Sequence, residues 1–392
     1  QGYLKGGVPM DAAHSAGKAR KKRIRAERNG IDLTFLFLVL ILLSIGLIMM
    51  FSASYASSYY ETGDSFYYIK RQLLFAVVGV VMMLAIANID YHILHRFAFL
   101  IYAGTLFLLV VVLIVPTRED AKRWINLGFT TFQPSELAKF AIVLIFAHLI
   151  SVNYERMKNP RYGVWPFLVL LGVVVMLMLL EPHLSGTILI VSIGVVMMFV
   201  GGTDLKWFML GGVLIGVAIV AAVLIPGVVP YAMDRLQYWI DPWSDPQNKG
   251  FQTIQSLYAI GSGGLMGVGI GNSRQKHLYL PEPHNDFVFS VVCEELGFIG
   301  ATLIILLFVL LIWRGYVVAM RCRDRFGSML AVGLTTQVGV QTVLNIAVVS
   351  NTIPNTGISL PFFSYGGTAL VMLLCEMGVI LSVSRQTNIE KE

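Results

Sequence analysis

The chain has 392 residues, 56% of them hydrophobic and only 13% charged, with a formal net charge of +6 and a mean hydropathy of +0.72. Soluble domains carry about 25% charged residues, so the composition excludes an ordinary soluble domain and points to a polytopic helical membrane protein. Much of the basic excess sits in one run, KARKKRIRAER, which reads as a topology and lipid-headgroup signal and gives no reason to expect a nucleic-acid partner.

In chain order, residues 1–9 (QGYLKGGVP) read as a foreign remnant ahead of a start at Met10. Residues 1–31 form a basic cytoplasmic tail. The first apolar run is long enough to span and carries no small-residue cleavage site, so it reads as an uncleaved helix. Ten spans fit, at 32–54, 70–88, 96–115, 136–152, 164–181, 187–202, 207–229, 286–313, 328–350 and 368–385. The expected fold is therefore an all-α integral membrane domain over 32–385. The basic tail places the N-terminus inside, and an even span count returns the C-terminal tail, 386–392, to the same side. Beyond the tail, the charge asymmetry rests on two short basic loops, YERMKNPR and RGYVVAMRCRDR.

The longest loop, 230–285, lies outside between spans seven and eight. Loops of such length are functional or disordered. The aromatic content of this one (Tyr231, Tyr238, Trp239, Trp243, Phe251, Tyr258) argues for order. Within it QTIQSLYAI reads as a short amphipathic helix on the membrane surface. Cys293, Cys322 and Cys375 are widely spaced and form neither a disulfide framework nor a metal motif.

The polar anomalies collect on the outer side. Glu136 and Lys139, in SELAKF, lie three residues apart on one helix face and can pair. An ionisable pair inside a span marks a functional site or a structural lock. Arg123 and Trp124, in AKRWINLG, can hold a phosphate and an amphipathic headgroup, although Trp124 equally suits an interfacial belt. EPHLSGT places Glu181 and His183 at the outer end of span five. The segment GSGGLMGVGIGNSRQKHLYLPEPHND offers close backbone approach at its glycines and positive charge at Arg274, Lys276 and His277. Beyond it stand three acids, Asp286, Glu294 and Glu295. A helix starting near Asp286 sets Glu294 about 12 Å deeper and Glu295 on the opposite face. The three cannot act as one carboxylate cluster, so the spacing does not support a paired-acid glycosidase arrangement within this helix. Asp286 reads as chemical, and Glu294 and Glu295 as network-forming.

At these motifs the chain resembles the SEDS (shape, elongation, division and sporulation) family, the FtsW/RodA/SpoVE proteins. The matching blocks run in order from residue 31 to 385: RWINLG, QPSELAK, EPHLSGT, DPWSDPQNKGFQTIQSLYAIGSGGLMGVGIGNSRQK, YLPEPHNDFVF, EELGFIG and LPFFSYGGTAL. The resemblance is closer to the division and sporulation branch than to the elongation branch. Three positions depart from the family pattern. His183 stands where an acid is usual, beside Glu181 in place of an amide, and Asn285 stands where Thr is usual.

The resemblance implies a peptidoglycan glycosyltransferase in the bacterial cytoplasmic membrane. Its substrate would be lipid II, joined into β-1,4 glycan with release of undecaprenyl pyrophosphate. It implies catalytic roles for Asp286, Glu136 and Lys139. The candidate substrate-binding residues are Arg123, Trp124, Arg274, Lys276, Glu282, His284 and Ser364. No metal site or certain cofactor is expected, although a divalent cation, Mg2+ or Mn2+, can assist pyrophosphate departure. Expected partners are a single-span class B penicillin-binding protein contacting the membrane domain, other division or sporulation proteins, and membrane lipids. Two alternatives are a lipid-linked saccharide flippase and a scaffold that recruits a transpeptidase. A flippase would use the intramembrane acids as a path, but ionisable groups are few in the inner halves of the spans and no inverted repeat is evident. A pure scaffold leaves the Asp286 loop without a purpose.

Overall fold

The computed structural model describes residues 30–114, 123–126, 128, 130–181, 183–224, 237–248 and 250–386. The basic tail and parts of the outer loops lie outside the described residues. Among the described residues, eleven principal helices carry the fold: α1 (Leu33–Thr62), α2 (Tyr67–Ala87), α3 (His92–Ile114), α4 (Pro134–Asn153), α5 (Trp165–Leu180), α6 (Leu184–Val200), α7 (Leu205–Leu224), α8 (Phe251–Gly263), α9 (Val288–Arg321), α10 (Arg325–Val349) and α11 (Gly367–Ser384). Eight are long and apolar enough to cross a membrane, α5 counted with the short turn that leads into it. The two other expected spans fall on shorter apolar helices, α6 and the Leu205–Leu214 part of α7. The amphipathic segment expected at QTIQSLYAI is α8.

The centre of the bundle is α4, α10 and α11, each far more enclosed than α2 or α3. Apolar side chains gain little by leaving lipid for protein, so close backbone approach at small residues supplies much of the packing. Gly378 of α11 lies against the Met83 carbonyl of α2, and Gly315 of α9 lies against Thr335 of α10. At one end, Asp32 caps α1 by accepting from the Phe35 amide at 3.0 Å. Its other carboxylate oxygen pairs with Arg314 Nε of α9 at 2.8 Å, and its own amide donates to Ser384 Oγ of α11 at 3.1 Å. Three helices are thereby tied at one corner.

The eighth expected span, 286–313, is longer and broken. α9 begins at Val288, runs to Arg321, and is interrupted at Gly297, whose φ of 68° and ψ of −171° no helix contains. A break in hydrocarbon must return its orphaned amides and carbonyls to protein partners. Here the turn leaving α8 supplies them. Val268 and Gly269 amides donate to the Glu294 and Glu295 carbonyls, and Phe298 and Ile299 amides donate to the Gly264 and Leu265 carbonyls. The exchange needs backbones almost in contact. A Cβ at Gly263 would stand 2.0 Å from the Cys293 carbonyl oxygen, and one at Gly267 would stand 2.2 Å from that of Glu295.

Gly263→Ala should therefore destabilise the protein by about 1–3 kcal/mol through overpacking, seen as a lowered unfolding temperature in detergent. Gly261→Ala, two residues earlier in a spot open to 4 Å, should be neutral or gain a few tenths of a kcal/mol in helix propensity, of order ~0.5. Equal behaviour of the two variants would refute the close-contact account.

Candidate active site

A short antiparallel hairpin, Ile125–Asn126 paired with Thr131–Phe132, precedes α4. Pro134 opens α4 at its first turn, where its missing amide is harmless, so Glu136 and Lys139 follow immediately at the hairpin's foot. The Thr368 hydroxyl at the start of α11 donates to the Thr131 carbonyl at 2.9 Å and seats the hairpin on the bundle. Between these elements opens a cavity of about 730 Å3. Arg123, Trp124, Glu136, Lys139, His183 and Asp286 line it, together with Arg71 of α2, Gln341 of α10 and the stretch Gly357–Ser359.

Asp286 precedes α9 by two residues and is half-buried. Among the described residues no side chain hydrogen-bonds its carboxylate, which faces the cavity. Burial lifts this carboxyl to about 6, the Glu282 charge pushes the same way, and the Arg123 guanidinium opposes both. Lys139 Nζ pairs with Glu136 Oε2 at 2.7 Å and reaches Gln341 Oε1 at 3.4 Å, so this pair forms a charged wall across the cavity. Arg123 Nε donates to the Glu181 carbonyl at 3.3 Å. Burial raises the Glu181 carboxyl to about 7 against the opposing Arg123 charge. His183 is driven down to about 4, by burial first and then by the Arg123 and Lys139 charges. It is a neutral imidazole at pH 7, with Nε2 3.2 Å from Gln133 Nε2. With a neutral ring at 183, Asp286 is the cavity's unpaired carboxylate among the described lining residues.

Five of the candidate substrate-binding residues do not line this cavity. Lys276 is buried against α9, its Nζ 2.9 Å from Glu295 Oε1 and 3.1 Å from Ser52 Oγ. Arg274 presents its main-chain amide to Glu294 Oε1 at 2.8 Å, with its side chain exposed. His284 packs against Tyr68, ring centroids 4.5 Å apart and planes tilted by 31°. Glu282 accepts from Asn285 Nδ2 at 2.7 Å on the outer rim. The Ser364 hydroxyl accepts from the Leu360 amide and donates to the Asn285 carbonyl, borders only a small recess beside the cavity, and holds backbone. The partners of the two deeper acids are now explicit. Ser273 Oγ and the Arg274 amide serve Glu294, while Ser52 and Lys276 serve Glu295.

Sequence reading missed Arg71 and Gln341. Arg71 gave a signal, a cation at the outer mouth of span two against the inside bias. Its guanidinium lies 4.7 Å over the Tyr67 ring. Gln341 gave none, since an uncharged amide in an apolar run looks like packing.

Among the described residues no group of three or more His, Cys, Asp or Glu side chains could hold a metal ion alone. What the arrangement offers is one unbonded carboxylate across a cavity from several cations. That suits proton removal from a hydroxyl beside a departing anion.

The whole chain is similar to known proteins. The chain is 43% identical over 357 residues to stage V sporulation protein E of Bacillus subtilis (strain 168), covering 90% of this chain and 97% of that protein. It is 37% identical over 364 residues to the probable peptidoglycan glycosyltransferase FtsW of Geobacter sp. (strain M18), covering 91% and 97%. Among solved structures, a chain in work described as "Structural coordination of polymerization and crosslinking by a peptidoglycan synthase complex" superposes with a TM-score of 0.76 at 30% identity, covering 92% of this chain and 99% of that one. The rod shape determining protein RodA of Thermus thermophilus superposes at 0.67 with 27% identity, covering 92% and 98%. The family profile described as cell cycle protein matches residues 33–389, and the chain belongs to that FtsW/RodA/SpoVE family of multi-pass membrane proteins.

Proposed function

We propose that the protein is a peptidoglycan glycosyltransferase that polymerises lipid II into β-1,4 glycan at the outer face of the bacterial cytoplasmic membrane, for division or sporulation. The observation that carries this reading is the Asp286 carboxylate, unbonded among the described residues and facing a cavity that also receives Arg71, Arg123 and Lys139. The relatives named FtsW and SpoVE support it.

The acceptor sugar hydroxyl attacks the anomeric carbon of an α-linked donor. Its proton passes to an Asp286 oxygen, the new β-glycosidic bond forms, and the bond from that carbon to the pyrophosphate oxygen breaks with inversion. A carboxyl near pH 6 is a well-matched base at neutral pH, ionised yet basic enough to accept a proton. The leaving group is already stable as an anion, so the second requirement is positive charge beside it. Arg123, Lys139 and Arg71 line the cavity for that purpose. A divalent cation, Mg2+ or Mn2+, would add positive charge beside the leaving pyrophosphate, and Glu136 and Asp286 are the described lining carboxylates that would hold it. The proposed topology has both termini inside, a reading supported by the basic run KARKKRIRAER. A class B penicillin-binding protein is the proposed partner, cross-linking the new strand. The description of the structural neighbour, which joins polymerisation to crosslinking, supports it.

Three outcomes are expected with purified protein and defined lipid II in detergent. Asp286→Asn should reduce polymer by about 10²–10⁴-fold without a change in unfolding temperature. A flippase has no bilayer to cross in such an assay, so polymer from wild type excludes that alternative. Lys139→Met should lower turnover at least about tenfold and, by stranding Glu136, also stability. Adding Glu136→Gln should restore the unfolding temperature but not turnover. Restored turnover in the double variant would reduce the pair to a structural lock. The rate should also fall as pH drops through about 6, because the ionised form of Asp286 is the active one. Glu282→Gln removes a charge that raises this carboxyl, so the acid limb should move to lower pH. A limb that stays or moves upward would contradict the assigned electrostatics.

A further inference from the structure

Asp286 has to be held as well as ionised, and its side chain has no hydrogen-bonding partner among the described residues. The restraint comes through the main chain. Three consecutive carbonyls, those of His284, Asn285 and Asp286, each accept a hydrogen bond from a different donor. The Tyr365 amide reaches the His284 carbonyl at 2.8 Å. The Ser364 hydroxyl reaches that of Asn285 at 2.6 Å. Asn345 Nδ2, from within α10, reaches that of Asp286 at 2.8 Å. The same Asn345 nitrogen donates to the Ile358 carbonyl at 2.6 Å. Its two hydrogens thus join the acid's own backbone to the strap 351–366 that connects α10 and α11.

That strap meets the carboxylate directly. Gly357 has φ +67°, and a Cβ there would lie 3.0 Å from Asp286 Oδ2. Asn345 itself is fully enclosed, and its Oδ1 is buried with no partner among the described residues. Turning the amide over would set that oxygen against two carbonyl oxygens, so the two acceptors fix its orientation. A buried amide with an orphaned oxygen is costly, and the two bonds made by its nitrogen offset that cost.

We propose that Asn345 is a positioning residue for Asp286, the pin of a main-chain clamp that sets this carboxylate against the Gly357 strap. The proposal rests on the reading of Asp286 as the base. Neither Leu nor Asp can replace the pin, since one donates nothing and the other repels both carbonyls. Removing it lets the 284–286 segment and the strap part, and water then reaches the carboxylate. The charges around Asp286 stay in place: Glu282 on its own loop, Arg123 on the hairpin, Arg71 on α2, and Glu136 and Lys139 on α4, with neutral His183 between α5 and α6.

The test is the pH profile of polymerisation by the full-length protein in detergent. Asn345→Ala should lower kcat about 10–100-fold, the scale of a misplacement near 1 Å, with KM for lipid II within about twofold because the cavity's cations are untouched. Its acid limb should move from about 6 toward the ordinary aspartate value of about 4. Ser364→Ala, which releases the neighbouring carbonyl, should shift the limb in the same direction by less. Tyr316→Phe loses a hydroxyl contact to Thr336 elsewhere on α10 and should leave rate and limb alone. A reduced kcat with the limb at its wild-type position in both Asn345→Ala and Ser364→Ala would overturn the clamp and leave only a folding role. Wild-type turnover that does not depend on Asp286 would instead overturn the underlying reading, a separate and visible failure.

Discussion

The constraint on which the rest of this molecule depends is the demand that a helix broken inside a bilayer satisfy its own backbone. α9 is interrupted at Gly297, and the turn leaving α8 repairs the interruption with hydrogen bonds in both directions. That exchange fixes where the long outer loop re-enters the bundle. From there Ser273, Arg274 and Lys276 are bound to Glu294 and Glu295. The glycines at 263, 267 and 297 are the steric condition for this arrangement, since any side chain there collides with a main chain.

The cavity separates charge by role. Glu136 and Lys139 form an ion pair on one wall, with Lys139 still lining the cavity. Lys276 and Glu295 pair in a dry setting. Asp286 sits between an acid that raises it and a guanidinium that lowers it, with burial dominant. A second anionic side chain at 183 would have added repulsion. The neutral imidazole there avoids it and keeps hydrogen-bonding capacity at the cavity wall.

How much of this was legible depended on the range of the interaction. Apolar runs of about 20 residues revealed the spans, because bilayer thickness sets their length. The Glu136–Lys139 pair was legible because helical geometry makes residues three apart neighbours. The separation of Asp286 from Glu294 and Glu295 followed from rise and rotation alone. The partners of those two acids did not. Ser52 meets Glu295 across 243 positions, and no local rule connects them. For the same reason Lys276 read as a cation for a phosphate when it is the counter-ion of a buried carboxylate. The break at Gly297 was hidden too, since a glycine in an apolar run looks like packing until the exchange around it is seen.

The pairing of α2 with α11 has a consequence for how the chain is made. Gln72 of α2 is fully enclosed. Its amide donates to the Ser364 carbonyl and its oxygen accepts from the Gly366 amide, partners that lie 292 and 294 residues further on. Asp32 at the head of α1 waits likewise for Ser384, 352 residues later. These polar groups of α1 and α2 stay without those partners until α11 and the strap before it pack beside them, so that docking completes this part of the bundle.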